Sequence, residues 1–143
     1  MKIRVIDFDI LTKNYIPYVS GYKDIEKEKE KLLNSIEPIR IEMESIIKKS
    51  QNEEIKNEEI ERYRSMQEDL IVKDKEFKKI LKDMYDDLNL KVFEELQVII
   101  TEWSIENDID MVTGKMEVIY NKESVESTND ILEILKRKNL YQL

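Results

Sequence analysis

Apolar residues recur in steps of three and four along the chain from residue 22 to residue 46. The positions are Tyr22, Ile25, Leu32, Ile36, Ile39, Met43 and Ile46, and Lys29 alone interrupts the series. This spacing predicts a helix that packs against another helix along one narrow stripe. Pro38 falls inside that helix and removes one backbone hydrogen bond, so we expect a kink near Asn34 and Ser35.

A second helical pattern begins after KKSQNEEIKNEE, residues 48 to 59, a segment in which Ile55 is the one apolar residue. We expect this segment to form the tip of a helical hairpin. The returning series is Tyr63, Met66, Leu70, Phe77, Leu81, Met84, Leu88, Val92, Leu96, Ile99 and Trp103. From VFEELQVIITEW onward the apolar arc widens, which predicts that this end of the helix is buried on more than one side.

Two short stretches near opposite ends of the chain have the pattern of strands. Residues 2 to 8 alternate, with Ile3 and Val5 on one face. DIDMVTGKMEVIY, residues 108 to 120, predicts two strands folded about the Thr-Gly pair at 113–114. An isolated two-stranded hairpin is at best marginally stable in water, so these strands need a third strand or another chain to cover them.

The segments that flank these patterns are short. From residue 9 to 20 we expect one helical turn, and Pro17 biases Ile16 away from a helix. Near the end, STNDILEILKRKN predicts a helix with Ser127 or Thr128 at its N-cap, acidic residues early and basic residues late.

The composition excludes much enzyme chemistry. The chain has no Cys and no His, and therefore no thiol nucleophile, no imidazole base and no Cys/His zinc site. Gly114-Lys115 lacks the first Gly and the Ser or Thr of a phosphate loop, and Asp108 with Asp110 lacks the further oxygens of an EF-hand. We expect no catalytic activity, no cofactor and no metal ion.

The net negative charge of the chain indicates which classes of binding partner to expect. The 143 residues include 39% charged residues and have a net charge of −8, which disfavours binding to nucleic acid or to anionic membranes and favours basic partners. No apolar run approaches the ~20 residues of a membrane span. Asp7 and Asp9 stand where a signal peptide would be apolar. We expect a cytoplasmic protein, and a periplasmic one only if Met1 is not the native start.

Three segments in this order resemble the Skp/OmpH family of chaperones. They are KIRVIDFDIL at the N-terminus, NDIDMVTGKMEVIY after the returning helix, and the closing TNDILEILKRKN. The resemblance covers the whole chain in order and length. It implies an α+β fold in which a long α-helical hairpin, a coiled-coil arm, projects from a small β-strand body.

Family membership would imply a homotrimer whose strands form one central body, with arms that enclose a cavity for unfolded polypeptides. Residues 1–21 and 92–143 would then form the β-containing trimerisation body, and residues 22–91 the arm. The expected trimerisation residues are Ile3, Val5, Ile99, Trp103, Val112, Val118 and Tyr120.

The resemblance further implies an ATP-independent holdase that binds non-native polypeptide in a cavity between the arms. The net charge of −8 adds an expected preference for basic clients, and the apolar residues of the arm would make the contacts. The candidate client-binding residues are Ile47, Ile55, Ile60, Tyr63, Met66 and Ile71. Periodicity leaves an alternative open, in which such residues only pack the arm, although Ile47, Ile60 and Ile71 lie off the stripe. A second hypothesis for function is a structural coiled-coil scaffolding subunit, virus-encoded or cellular, with one dedicated partner.

Overall fold

A computed structural model describes residues 1 to 142. It contains four α-helices, α1 (Phe8–Lys13), α2 (Ile16–Asn52), α3 (Asn57–Glu106) and α4 (Thr128–Arg137). The strands are β1 (Ile3–Ile6) and β2 (Met111–Gly114), and short 3₁₀ turns occupy Lys115–Glu117 and Glu123–Val125. The chain forms two compact units. The hairpin unit is Asp24–Tyr85, and the terminal unit is Met1–Lys23 together with the chain from Asp86 onward.

The two strands pair in parallel, with Ile3 opposite Met111 and Ile6 opposite Gly114. The predicted hairpin within residues 108–120 is therefore wrong, since the strand ends at Gly114 and a 3₁₀ turn follows. Gly114 has φ −75° and ψ 145°, so the chain stays extended through it and does not make the positive-φ turn that a two-residue hairpin loop requires. The Val118 amide instead donates to the carbonyl of Lys115 at 3.2 Å, which closes the 3₁₀ turn.

The start of α2 also differs from the prediction. Ile16 is helical, and Pro17 lies in the first helical turn, where the amide that Pro lacks would have no intrahelical partner. The Ile16 amide instead donates to the carbonyl of Leu140 at 2.8 Å. Farther along, α2 runs through Pro38 without interruption, and the kink at that point stays a prediction.

The core of the terminal unit gathers apolar side chains from both ends of the sequence. Its buried members are Ile6, Leu11, Tyr15, Val92, Leu96, Ile100, Ile131 and Leu135. The widened apolar arc of the returning helix is thus explained by α1 and α4 packing on it. Asp7 caps α1, because its carboxylate accepts from the amides of Asp9 and Ile10. The backbone amide of Asp7 also donates to the Thr128 hydroxyl at 2.9 Å, which links the start of α1 to the start of α4.

In the hairpin unit α2 and α3 run antiparallel. The Tyr85 hydroxyl donates to Glu26 at 2.7 Å near one end, and Lys49 bonds to Glu59 at 2.9 Å near the other. The connection is residues 53–56, shorter than the predicted tip, because α2 continues to Asn52. Between the helices the predicted stripes form a half-buried seam, of which Leu32, Ile36, Ile39, Met43, Ile46, Tyr63, Met66, Leu70, Phe77 and Leu81 are members.

Candidate client-binding surface

Four large aliphatic side chains of the hairpin unit are exposed although they lie beside the seam. They are Leu33 and Ile47 on α2 and Ile60 and Ile71 on α3, with exposed fractions of 49%, 43%, 42% and 55%. At 3.6 residues per turn, Leu33 and Ile47 are rotated about the axis of α2 by roughly 60–100° from the seam residues of that helix. Ile60 and Ile71 are rotated about the axis of α3 by roughly 90–110° from its seam residues, in the same sense. Because the helices are antiparallel, equal senses of rotation place all four on one side. We call this side the apolar flank.

The opposite flank is occupied by ion pairs. Arg62 Nε donates to Glu42 Oε1 at 2.5 Å across the two helices, and the hydrogen bond lowers the pKa of the Glu42 carboxyl. On α3 itself, Lys73 pairs with Asp69 at 3.3 Å. By the same rotation, Arg40, which pairs with Glu37, and Lys78, which pairs with Asp74, lie on the apolar flank, and the exposed Ile80 lies on the opposite flank. The apolar flank therefore carries more of the exposed aliphatic side chains than the opposite flank does, although charged residues stand on both.

A groove lies at the end of the seam, beside the connection. It has a volume of about 240 Å³ and is lined by Ile46, Ile47, Ser50, Ile55, Ile60 and Tyr63. We call it the tip groove. The Ser50 hydroxyl donates to the carbonyl of Ile47 at 2.5 Å, so the one serine of the lining is satisfied within its own helix.

The candidate client-binding residues divide into two groups in the structure. Ile55, Tyr63 and Met66 are half-buried, whereas Ile47, Ile60 and Ile71 are exposed. The tip groove brings Ile47, Ile55, Ile60 and Tyr63 together, and Met66 and Ile71 lie outside it. Sequence reasoning missed Leu33 as a member of the apolar flank, although its spacing of 14 residues from Ile47, two heptads, was a usable signal.

The expected trimerisation residues also occupy different environments. Val5 is buried, whereas Ile99, Trp103 and Val112 are partly buried against the core of the terminal unit. Ile3 and Val118 are half-buried, and Tyr120 is 79% exposed. Two further apolar residues close to Tyr120 in sequence are more exposed still, Met116 at 84% and Ile119 at 106%.

A second, larger groove follows β2 in the terminal unit. It has a volume of about 670 Å³, and its lining includes Phe93, Ile100, Ile105, Met111 and Val112. Within the described residues β2 pairs with β1 alone, so its other edge keeps unpaired backbone groups beside this groove. An open strand edge next to apolar side chains is a site where another chain can add.

Among residues 1 to 142, no group of three or more Asp or Glu side chains is arranged to hold a metal ion. No helix in the same range is both long and apolar enough to cross a membrane.

Comparison with solved structures identifies the fold. The chain is similar to the crystal structure of a proposed outer membrane chaperone, OmpH-like, from Caulobacter crescentus, with a TM-score of 0.65. The match covers 99% of this chain and 88% of that chain at 9% sequence identity. No protein-family model and no curated protein matches the sequence. The protein therefore has an OmpH-like fold, with a long helical hairpin and a small parallel two-stranded sheet.

Proposed function

We propose that the protein is an ATP-independent holdase chaperone that binds non-native polypeptide through the apolar flank. The observation that carries this proposal is that four of the seven exposed large aliphatic side chains of the hairpin unit lie on one of its sides. Leu33, Ile47, Ile60 and Ile71 share a side that has no intrachain cover, and the ion pair of Glu42 with Arg62 lies on the other. Exposed aliphatic side chains on one side of a soluble protein are typical of an interaction surface.

Weak and adaptable contacts suit such a function. Each flank residue keeps roughly half of its surface in solvent, so a client segment would gain only part of the ~1.5–3 kcal/mol that full burial of an aliphatic side chain provides. Several such contacts together would hold an unfolded chain while each one exchanges. The net charge of −8 would favour basic clients and add a salt-dependent part to binding.

The proposal includes a homotrimer assembled through the terminal unit. Met116, Ile119 and Tyr120 expose apolar surface that another copy of the chain could cover, and the open edge of β2 is available to that copy. A two-stranded sheet needs further strands to be stable on its own, which a neighbouring copy could supply. The OmpH-like fold is consistent with a chaperone built in this way.

The test compares two triple variants in a light-scattering assay of several unfolded substrates. Replacing Ile47, Ile60 and Ile71 by Ser should abolish most of the delay in aggregation. The matched control replaces Ile41, Val72 and Ile80 by Ser, since these residues are equally exposed at 58%, 53% and 42% but lie off the apolar flank. Circular dichroism should show the same helix content for both variants, because exposed positions contribute little to packing.

Two outcomes would overturn the proposal. One is equal activity of the two variants. The other is a wild-type protein that fails to delay aggregation at a stoichiometric ratio of trimer to substrate yet binds one folded partner tightly. The second outcome would establish the scaffolding alternative.

A further inference from the structure

We infer that the tip groove is an anchor site for one large aliphatic or aromatic side chain of a client, flanked in the client sequence by Lys or Arg. This inference rests on the proposed holdase function and adds a side-chain specificity to it. Other contacts on the apolar flank would be nonspecific, whereas the tip groove would select the segment of the client that binds first.

The size of the groove fits a side chain better than a small molecule. Ligand sites usually occupy ~300–1,000 Å³, and an apolar cavity of ~150 Å³ accepts a benzene ring. At about 240 Å³, the tip groove lies between these values. Five of its six lining residues are Ile or Tyr, and the hydroxyl of the sixth, Ser50, is already bonded to the Ile47 carbonyl. The groove thus offers apolar contact and little demand for a polar partner.

The charges next to the groove indicate what flanks the anchored side chain. Residues 53–59, which run past the groove from the end of α2 into α3, contain four Glu and one Lys. Glu59 forms a salt bridge with Lys49. By contrast, no salt bridge within the described residues involves Glu54 or Glu58. A client with Lys or Arg beside its apolar residue would supply the opposite charges, and a client with Glu there would be repelled.

The experiment fills the groove without removing any apolar surface. Ser50→Phe places a ring in the lining, and Ser45→Phe is the matched control because Ser45 is exposed on the same helix and does not line the groove. The probes are three fluorescent peptides measured by anisotropy. They carry one Phe flanked by Lys, one Phe flanked by Glu, and one Ser flanked by Lys.

We expect the first peptide to bind wild type and Ser45→Phe equally, and Ser50→Phe about tenfold or more weakly, since the variant excludes the anchored ring. The second and third peptides should bind wild type weakly. Equal binding of the first peptide to both variants, or equal binding of all three peptides to wild type, would overturn the inference. So would a change of oligomeric state in Ser50→Phe alone, because the occupant would then be a second copy of the chain.

The inference and the proposed function fail in different ways. If peptide binding ignores Ser50→Phe while the triple Ser variant still loses aggregation delay, the chaperone proposal stands and the anchor site is absent. If peptides bind as expected but wild type delays no aggregation, the groove is a peptide site of a protein that is not a holdase.

Discussion

The hydroxyl of Tyr15 donates a hydrogen bond to Oε2 of Glu95 at 2.7 Å, in the core of the terminal unit. Tyr15 is 2% exposed, and the bond joins the residue before α2 to the last quarter of α3. Burial and the neighbouring carboxylate both raise the pKa of the Tyr15 hydroxyl, because each disfavours a phenolate. The terminal unit therefore depends on this hydroxyl staying protonated.

Tyr15→Phe should lower the free energy of unfolding by about 0.5–1.5 kcal/mol at neutral pH, because Glu95 loses a buried donor. The pH dependence has a definite sign. As pH rises past the ordinary Tyr pKa of 10.0, the unfolded chain loses this proton while the folded chain keeps it, so wild-type stability falls. The Tyr15→Phe variant has no hydroxyl to titrate at this position, so the difference in unfolding free energy between wild type and variant should shrink above pH 10. Urea unfolding at several pH values measures both effects. A difference between wild type and variant that grows above pH 10 would contradict the proposed role of the Tyr15 hydroxyl.

Ile119→Asp should convert the proposed trimer into a folded monomer. The side chain is fully exposed within one chain, so the change removes no intrachain burial, but a carboxylate would have to be desolvated at an interface between copies. Multi-angle light scattering after chromatography measures the mass. Ile41→Asp, an exposed position in the hairpin unit, is the control and should stay trimeric. A wild-type chain that is monomeric at micromolar concentration would exclude the assembly.

Gly21 and Leu88 should show strong energetic coupling. A Cβ atom at position 21 would lie 2.4 Å from Cδ1 of Leu88, so Gly21→Ala forces that side chain to move. In a Leu88→Ala background the clash is gone, and Gly21→Ala should stabilise by about 0.5–1 kcal/mol through helix propensity. In the wild-type background it should stabilise less or destabilise. A double-mutant cycle in urea measures the difference, and additive changes would disprove the close approach.

Hydrogen exchange should be fastest at residues 53–56 and slowest around Val92 and Leu96. Of the amides in the connection, that of Glu53 continues the hydrogen-bond pattern of α2 by donating to the carbonyl of Lys49, and the rest lie outside both helices. The two core residues, by contrast, are covered by other elements of the terminal unit. Pro38→Ala should slow exchange next to Asn34, because it restores an amide donor in the middle of α2. Uniform protection from residue 24 to 85 would be inconsistent with this gradient.

The helical hairpin could be predicted from the sequence because its stripes are local and regular. Leu32, Ile36 and Met43 follow a spacing that needs no knowledge of the partner helix. The strand pairing could not be predicted in this way. MEVIY, residues 116–120, has a strand-like composition, but the chain stays extended at Gly114 and then enters a 3₁₀ turn, so it does not fold back on β2. The partner of β2 is instead β1, more than 100 residues away in sequence. Patterns along one segment do not reveal which distant segment pairs with it.

The candidate client-binding surface, too, could be predicted from local sequence patterns only in part. The exposure of Ile47 and Ile60 follows from their positions beside the stripe, which the periodicity reveals. Their meeting in one groove depends on the register of α2 against α3 and on a connection of only four residues, 53–56. The sequence predicted a tip at residues 48–59, which would have placed these two side chains at the very ends of the helices, whereas the observed helices continue past both of them.

The parallel pairing of β1 with β2 affects the order of events during synthesis. Residues 3–6 leave the ribosome first, but their partners at 111–114 are translated about 5–20 s later at 5–20 residues per second. The two helices of the hairpin unit need only each other and can associate in that interval. Throughout it Val5 and Ile6, which are buried in the finished protein, have no partner strand. During that interval the nascent chain is thus itself a polypeptide with unprotected apolar residues.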